Sequence, residues 1–373
     1  MLLLRHQPEQ PRCYEPFEAA DCGGEVQNGV LFKFCVGYNY FVRFCCFGEW
    51  RTNFILGTQR GVPPLTDFDD KKDVALKILK NDLKISPVEI TRFPTGFCHC
   101  VYYVKTETHE YVLRITDSKW HYDGSVKWLN ELARFNLPIP QILSHGQYED
   151  NYYTIITHIH GKDLVEVYHT LDDSQKSKLA NEIVKIQKKV SELPADLIDG
   201  SENYSVSVCV KNIKNKIERF RKSIITNKVF DPSVCDAVVD LLDSFGNYLP
   251  EIKPTAFLDD ISNKNVLIHN GELAGIVDID EMGYGDSIEV VGFTKLALLA
   301  QNADEKYTDY WLDEMQASAA QRKAMNFYVL LYCVDFMSEQ GAVFANGNFV
   351  PVNQEKVELL NKIYQESLKS YSR

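Results

Sequence analysis

Long apolar runs are missing from this sequence. The most hydrophobic stretch, Leu31 to Trp50, is broken by Lys33 and Arg43, so it falls short of the roughly 18–20 uninterrupted residues that span a bilayer. The opening Met1-Leu2-Leu3-Leu4-Arg5-His6 is too short an apolar run for a secretory signal. Zinc-type cysteine spacing is missing as well. The ten cysteines contain no C-x-x-C pair, and five of them (Cys13, Cys22, Cys35, Cys45 and Cys46) fall within the first fifty residues. Free thiols in a reducing compartment suit that pattern better than a metal knuckle or a disulfide framework. An excess of positive charge is also lacking. With 40 Lys and Arg against 52 Asp and Glu, the net charge is −12, which argues against the basic face that a general duplex binder needs. Together these absences predict a cytoplasmic protein that engages neither nucleic acid nor membrane. An acidic surface of this kind suits a cationic small ligand.

The 373 residues are enough for one two-lobed domain or two modest ones. Residues 1–71 stand apart. They are rich in Cys, Phe, Tyr and Gly, show neither helical nor strand periodicity, and run into a linker at Gly61-Val62-Pro63-Pro64. They read as an N-terminal extension, poorly ordered or an accessory module. From residue 72 the pattern becomes regular. Asp73 to Leu83 has helical spacing, with Val74, Leu76, Ile78 and Leu79 apolar. Val88–Arg92, Cys100–Thr106, Tyr111–Thr116, Gln141–Gly146 and Tyr152–His158 are β-branched or aromatic and read as strands. Val126 to Phe135 reads as one helix, stopped by Leu137-Pro138-Ile139-Pro140. The remainder is mainly helical, over Asp172–Leu193, Val210–Lys228, Pro232–Phe245, Tyr307–Met337 (as two helices) and Asn353–Tyr371. The helix over 210–228 carries seven Lys or Arg, which read as a solvated face. The fold class is therefore α+β: a small antiparallel sheet with one helix over residues 72–158, then a larger, mainly helical part over 159–373.

One segment concentrates polar chemistry. Ala256-Phe257-Leu258-Asp259-Asp260-Ile261-Ser262-Asn263-Lys264-Asn265 leads into apolar Val266-Leu267-Ile268. After His269-Asn270-Gly271-Glu272 comes a second apolar run, Leu273 to Val277, ending in Asp278-Ile279-Asp280. Asn-Gly between apolar runs is a strong hairpin signal. Pairing the two strands brings the loop with Asp260 and Asn265 beside Asp278. Three oxygen donors then share one end of a hairpin, a set suited to Mg²⁺. Between Asp259 and Glu289 there are eight acidic residues and one lysine, a density that calls for a cation.

Asp260-x₄-Asn265 followed by Ile276-Val277-Asp278 resembles the catalytic loop and metal-binding strand of the aminoglycoside phosphotransferases, which share the protein-kinase-like fold. Tyr152 to Leu164 resembles that family's interlobe linker, Leu137-Pro138-Ile139-Pro140 the segment after its first-lobe helix, and Gly285-Asp286-Ser287 a Gly-Asp-Pro that follows its metal strand. The resemblance covers about residues 72–373. It implies a bilobal fold, with the catalytic hairpin at 256–281. It implies a kinase moving the terminal phosphoryl of ATP or GTP, with Mg²⁺, onto a hydroxyl of a small amine-bearing molecule. In that reading Asp260 is the catalytic base, and Asn265 and Asp278 hold the metal. Thr95 and Gly96 lie in the phosphate-covering loop, Arg114 meets the nucleotide phosphates, and Thr157 and Ile159 offer backbone groups to the base. Asp280 is either a supporting carboxylate or a solvated strand end. A lone cation between apolar neighbours, as in Val112-Leu113-Arg114-Ile115, wants an anion in any case.

The chain departs from the family pattern at three places. Leu258 stands where the family usually has His, and Asp259 where it has a small residue. The first-lobe helix (Ser125 to Glu131) lacks a carboxylate at the expected place for pairing with Arg114, which leaves Asp123 or Glu131 as substitutes. The acceptor is open among aminoglycosides, macrolides, choline, homoserine and other amino alcohols. The competing reading is a kinase-shaped nucleotide- or ligand-binding protein with weak or no transferase activity. A protein kinase proper is disfavoured, because Asp-Phe-Gly is replaced by Asp278-Ile279-Asp280 and Ala-Pro-Glu is missing.

Overall fold

The computed structural model describes residues 71–93, 99–343 and 349–371. The expectations for residues 1–70 and for the Thr95–Gly96 loop lie outside the described residues.

Helix α1 (Lys72–Lys77), extended by a wider turn over Ile78–Asp82, opens the described part. Five strands follow: β1 (Glu89–Arg92), β2 (Cys100–Lys105), β3 (Glu110–Thr116), β4 (Ile142–Tyr148) and β5 (Asn151–Thr157). They form one antiparallel sheet in the order β1-β2-β3-β5-β4. Ala75, Ile78 and Leu79 of the first helix pack with Tyr102, Val104, Leu113, Ile115, Tyr153 and Ile155 from the strands, making a first core. The alternation of buried and exposed residues along β2 is what a period of two demands of a sheet with one covered face.

Helix α2 (Lys119–Ala133) begins seven residues before the predicted Val126. Its first two turns hold Lys119, His121, Asp123 and Gly124 and carry no apolar stripe. The start is set instead by Ser118, whose side chain accepts a hydrogen bond from the His121 N–H. Trp128, Leu129 and Leu132 of this helix join the second, larger core.

That second core is built around helices α4 (Asp173–Val190), α5 (Val206–Asn227), α6 (Ser233–Gly246), α7 (Ile288–Leu299), α8 (Lys306–Glu314), α9 (Ala319–Glu339) and α10 (Gln354–Tyr371), with a one-turn helix α3 at Leu164–Val167. Reciprocal capping boxes set the starts of α4 (Asp172 with Gln175) and α9 (Ser318 with Gln321). Helix α7 has no counterpart in the sequence reading. It is apolar on every side because it is buried on every side, so it shows no amphipathic stripe. Helix α5 does show its predicted stripe, with Ile213, Ile217, Phe220 and Ile224 buried.

Two small sheets position the polar segment. Strands β7 (Thr255–Phe257) and β10 (Gly283–Gly285) pair with each other. Strands β6 (Lys162–Asp163), β8 (Val266–His269) and β9 (Glu272–Ile276) form the other sheet, in the order β6-β8-β9. The β8–β9 turn is Asn270-Gly271, both with positive φ (51° and 79°), the geometry that matches the twist of a two-residue hairpin. Pairing of β6 with β8 ties the segment after β5 to the hairpin. None of the helices among the described residues is long and apolar enough to cross a membrane.

Candidate active site

The open end of the hairpin gathers the residues singled out from sequence. Asn265, one residue before β8, donates from Nδ2 to the Asp260 carbonyl at 3.0 Å. Its own carbonyl accepts from the Val277 N–H at 2.9 Å, just past β9. Asp278 follows and lies close enough to Asp260 for the two carboxylates to repel. The hairpin therefore brings 260, 265 and 278 together. The second strand ends at Ile276, so Asp278 and Asp280 are not on a regular strand. Asp278 has a φ of 62°, a left-handed conformation that a non-glycine residue adopts rarely.

Across from this end, Arg114 projects from the middle of β3. It is 5% exposed and heavily bonded. Its Nη1 donates to Asp280 Oδ1 and to Ser125 Oγ, each at 2.8 Å. Its Nη2 donates to Asp280 Oδ2 at 2.8 Å and to Asp278 Oδ1 at 2.7 Å. The carboxylate that meets Arg114 is thus Asp280, in a forked two-bond pairing, and not Asp123 or Glu131. Asp123 is taken by Lys119, and Glu131 lies 3.6 Å from Arg134. On α2 the place of a helix carboxylate is filled by Ser125, whose hydroxyl also donates to Asp280. Of the two roles expected for Asp280, the supporting one fits this geometry.

Gly124 permits that arrangement. A Cβ at this position would collide with the Asp280 backbone carbonyl, so only glycine lets α2 lie this close to the Asp278–Asp280 segment. His99 completes the cluster. Its Nδ1 lies 3.2 Å from Arg114 Nη2, and burial with the Arg114 charge pulls its pKa down to about 3. The ring is therefore neutral and accepts from the guanidinium.

The electrostatics separate the two aspartates. Enclosure by protein and the neighbouring Asp280 carboxylate push Asp278 up to about 6. More than half of the Asp278 side chain nevertheless stays open (55%), so solvent moderates the effect of enclosure and the repulsion between carboxylates weighs more. Asp280 is held well below the usual carboxylate range. Its burial acts the other way and is overcome by the Arg114 charge and the hydrogen bonds from Arg114 and Ser125. Asp280 is the committed anion of the Arg114 pair, while Asp278 keeps an open face.

Two further residues act on the loop and were passed over in the sequence reading. Gln187 of α4 clasps Leu258, donating from Nε2 to its carbonyl and accepting from its N–H, each at 2.9 Å. This fixes the backbone two residues before Asp260, and Leu258 itself is buried at 2% exposure. Lys264 sits in the electrostatic reach of Asp260, Asp163 and Asp278; burial lowers its pKa to about 7 against the pull of those carboxylates. A glutamine on a helix face and a lysine inside a loop give no periodic or spacing signal that could have marked them.

At the end of β5, the Thr157 N–H is already bonded to the Gln141 carbonyl at 2.9 Å, and its Oγ1 accepts from the Gln141 N–H. The Ile159 side chain packs over Gly275 of β9. A cavity of about 480 Å³ lies near His160, His269 and Gly271, at the turn end of the hairpin. It is at the opposite end of β8–β9 from Asn265 and Val277 and plays no part in the cluster around Asp260.

A family model described as the phosphotransferase enzyme family matches residues 89–313. The chain belongs to this family. Solved structures agree on the fold. The chain is similar to a GDP and kanamycin complex of an aminoglycoside phosphotransferase of the APH(2") type, with a TM-score of 0.60 and 17% identity over 80% of this chain and 99% of that one. It is similar to a GDP complex of a point mutant of an aminoglycoside 2'-phosphotransferase IIIa, with a TM-score of 0.58 and 17% identity over 81% and 99% of the two chains. A thermostable variant of APH(4)-Ia bound to AMP-PNP and hygromycin B gives a TM-score of 0.56 and 16% identity over 80% and 98%. No curated protein matches by sequence. This phosphotransferase-family chain has the bilobal, protein-kinase-like fold of those structures, with its polar hairpin in the helical part.

Proposed function

We propose that the protein transfers the terminal phosphoryl group of ATP or GTP to a hydroxyl of a small amine-bearing molecule. The observation that carries this reading is the meeting of Asp260, Asn265 and Asp278 at the open end of the hairpin, opposite a buried Arg114. Phosphoryl transfer needs placement and charge neutralisation more than covalent chemistry, and this cluster offers both.

The donor set fits Mg²⁺. Asn265 spends its amide nitrogen on the Asp260 carbonyl, which leaves its side-chain oxygen as a ligand. Asp278 gives one oxygen to Arg114 and has an open face for the other. Oxygen ligands with room for water are what Mg²⁺ requires. Asn265 and Asp278 would hold the ion, and the ion supplies neutralisation of the phosphate charge. Asp260 takes the proton of the attacking hydroxyl. The Gln187 clasp on Leu258 keeps Asp260 in place for that step. Arg114 orients Asp278 and would meet the nucleotide phosphates, a role that Thr95 and Gly96 would share. Thr157 and Ile159 flank the base, the Thr157 N–H being already bonded to the Gln141 carbonyl.

An amine on the acceptor is favoured by the eight acidic residues between Asp259 and Glu289. None of the described cysteines Cys100, Cys209, Cys235 and Cys333 is in a disulfide, which suits a reducing compartment such as the cytoplasm. The test is a panel of amino alcohols, choline, homoserine, macrolides and aminoglycosides, each incubated with Mg-ATP or Mg-GTP and followed for phosphate uptake. Transfer to at least one of them, requiring Asp260, supports the reading. Nucleotide binding without transfer to any of them would favour a ligand-binding protein of kinase shape.

A further inference from the structure

A second polar cluster lies away from Asp260, where the sheet meets the linker. Glu110 opens β3, and His158 and His160 follow β5. Glu110 Oε2 stands 3.3 Å from His158 Nδ1 and 3.4 Å from His160 Nε2. The three ligand atoms lie within 4.8 Å of one another. The two imidazoles sit side by side, with ring centroids 4.6 Å apart and planes at 78°.

These separations are long for a charge-assisted N–H···O bond, which closes to about 2.7–2.9 Å. The His158 Nδ1 atom is buried and makes no hydrogen bond of ordinary geometry among the described residues, Glu110 standing beside it at 3.3 Å. A tetrahedral ion holding nitrogen and oxygen ligands at about 2.0–2.1 Å places those ligand atoms about 3.3 Å apart. The observed 3.3 and 3.4 Å match the two edges of such a site that run from the carboxylate to the imidazoles. The surroundings fit as well. Glu110 is steadied by a hydrogen bond from the Tyr103 hydroxyl, the kind of outer contact that orients a ligating carboxylate. Its other oxygen, Oε1, points toward Lys105 at 3.8 Å. His160 is 68% exposed, so one side of the cluster is open to a fourth ligand.

We propose that Glu110, His158 and His160 form a binding site for a divalent transition ion of the Zn²⁺ class. Two imidazoles and one carboxylate suit zinc and cobalt and do not suit Mg²⁺. The site is distinct from the oxygen-only set of Asn265 and Asp278. A bound ion would pin the linker to the first residue of β3, four residues from Arg114.

The test uses the full chain, stripped with chelator and titrated with Co²⁺. Expected is one equivalent with intense visible bands of tetrahedral nitrogen and oxygen ligation, displaced by Zn²⁺. The oxygen-only site gives only weak six-coordinate bands, and the cysteines would announce themselves by a near-ultraviolet thiolate band. His160→Ala, at an exposed position that leaves the core intact, should weaken binding by more than the roughly 100-fold seen when an outer partner is lost. Glu110→Gln should weaken it as well. The proposal is overturned if the tetrahedral bands are missing, if they persist unchanged in His160→Ala, or if thiolate ligation accounts for the bound ion. None of these readouts depends on phosphoryl transfer.

Discussion

Arg114 and Asp280 face each other as two forks, Nη1 on Oδ1 and Nη2 on Oδ2, each at 2.8 Å. They join the middle of β3 to the segment after β9, across 166 residues of sequence. Breaking such a pair by removing one member leaves a charge enclosed without its partner, which costs about 3–5 kcal/mol when fully buried. Asp280 is 16% exposed, so Arg114→Met should lower the unfolding free energy by about 3 kcal/mol. Arg114→Lys should fall between that variant and the unaltered protein, since lysine keeps the charge and loses the fork. Urea unfolding at neutral pH measures both. Equal stability of all three would show the pair to be energetically idle.

The functional reading separates two aspartates by role. Asp260→Asn should lose transfer by about 10²–10⁴-fold, the usual weight of a general base, and keep nucleotide binding. Asp278→Ala should lose Mg²⁺-dependent nucleotide binding. Calorimetric titration with Mg-ATP and Mg-GTP, paired with a phosphate-uptake assay, reads both. Full turnover in the first variant, or unchanged nucleotide affinity in the second, would remove that residue from its role.

Much of this arrangement was legible in the sequence, for identifiable reasons. The hairpin could be read because Asn270-Gly271 separates two apolar runs, and its closure is what sets Asn265 beside Val277. The five strands could be read because each is a short run of β-branched and aromatic residues. Helix α7 could not, because a helix buried all round has no stripe. The start of α2 could not, because it depends on one Ser118 hydrogen bond and not on periodicity. The partner of Arg114 was sought on that helix, where Ser125 stands instead. Asp280 took the role through a contact between residues far apart in the chain, which no local pattern encodes.

Gly124 gives a test of that long-range contact. Alanine is favoured over glycine inside a helix by about 1 kcal/mol, so Gly124→Ala should stabilise α2 in isolation. Here the added methyl collides with the Asp280 carbonyl. The expected outcome is a net loss of thermal stability together with weaker Mg²⁺-dependent nucleotide binding. A rise in Tm with unchanged binding would mean that the helix does not approach Asp280 as described.

Asp286 supplies a pH test away from the cluster. Burial pushes its pKa from 3.8 up to about 6, opposed by the Ile288 N–H and the hydroxyls of Tyr248 and Tyr328. The folded state therefore binds this proton more tightly than the unfolded chain does. The group's contribution is greatest below pH 4, declines between about pH 4 and 6, and is flat above that range. The full span is up to about 3 kcal/mol for a displacement of this size. Asp286→Asn does not titrate, so the stability difference between the unaltered protein and the variant should shrink over that window. Urea unfolding at half-unit pH steps measures it, and a difference that stays constant from pH 4 to 6 would reject the assignment.

The two cores differ in how much chain each one draws on. The core under the sheet takes its buried members from Ala75 to Ile155, with only helix α2 and the segment after it given to the other core. The helical core takes members from Trp128 through to Leu360, Tyr364 and Tyr371. On a ribosome the first can close while the rest is still being made, whereas the second must wait for helix α10 to emerge. The apolar face of α9 that α10 covers stays bare during that interval, which leaves the helical part exposed to aggregation for longer than the sheet.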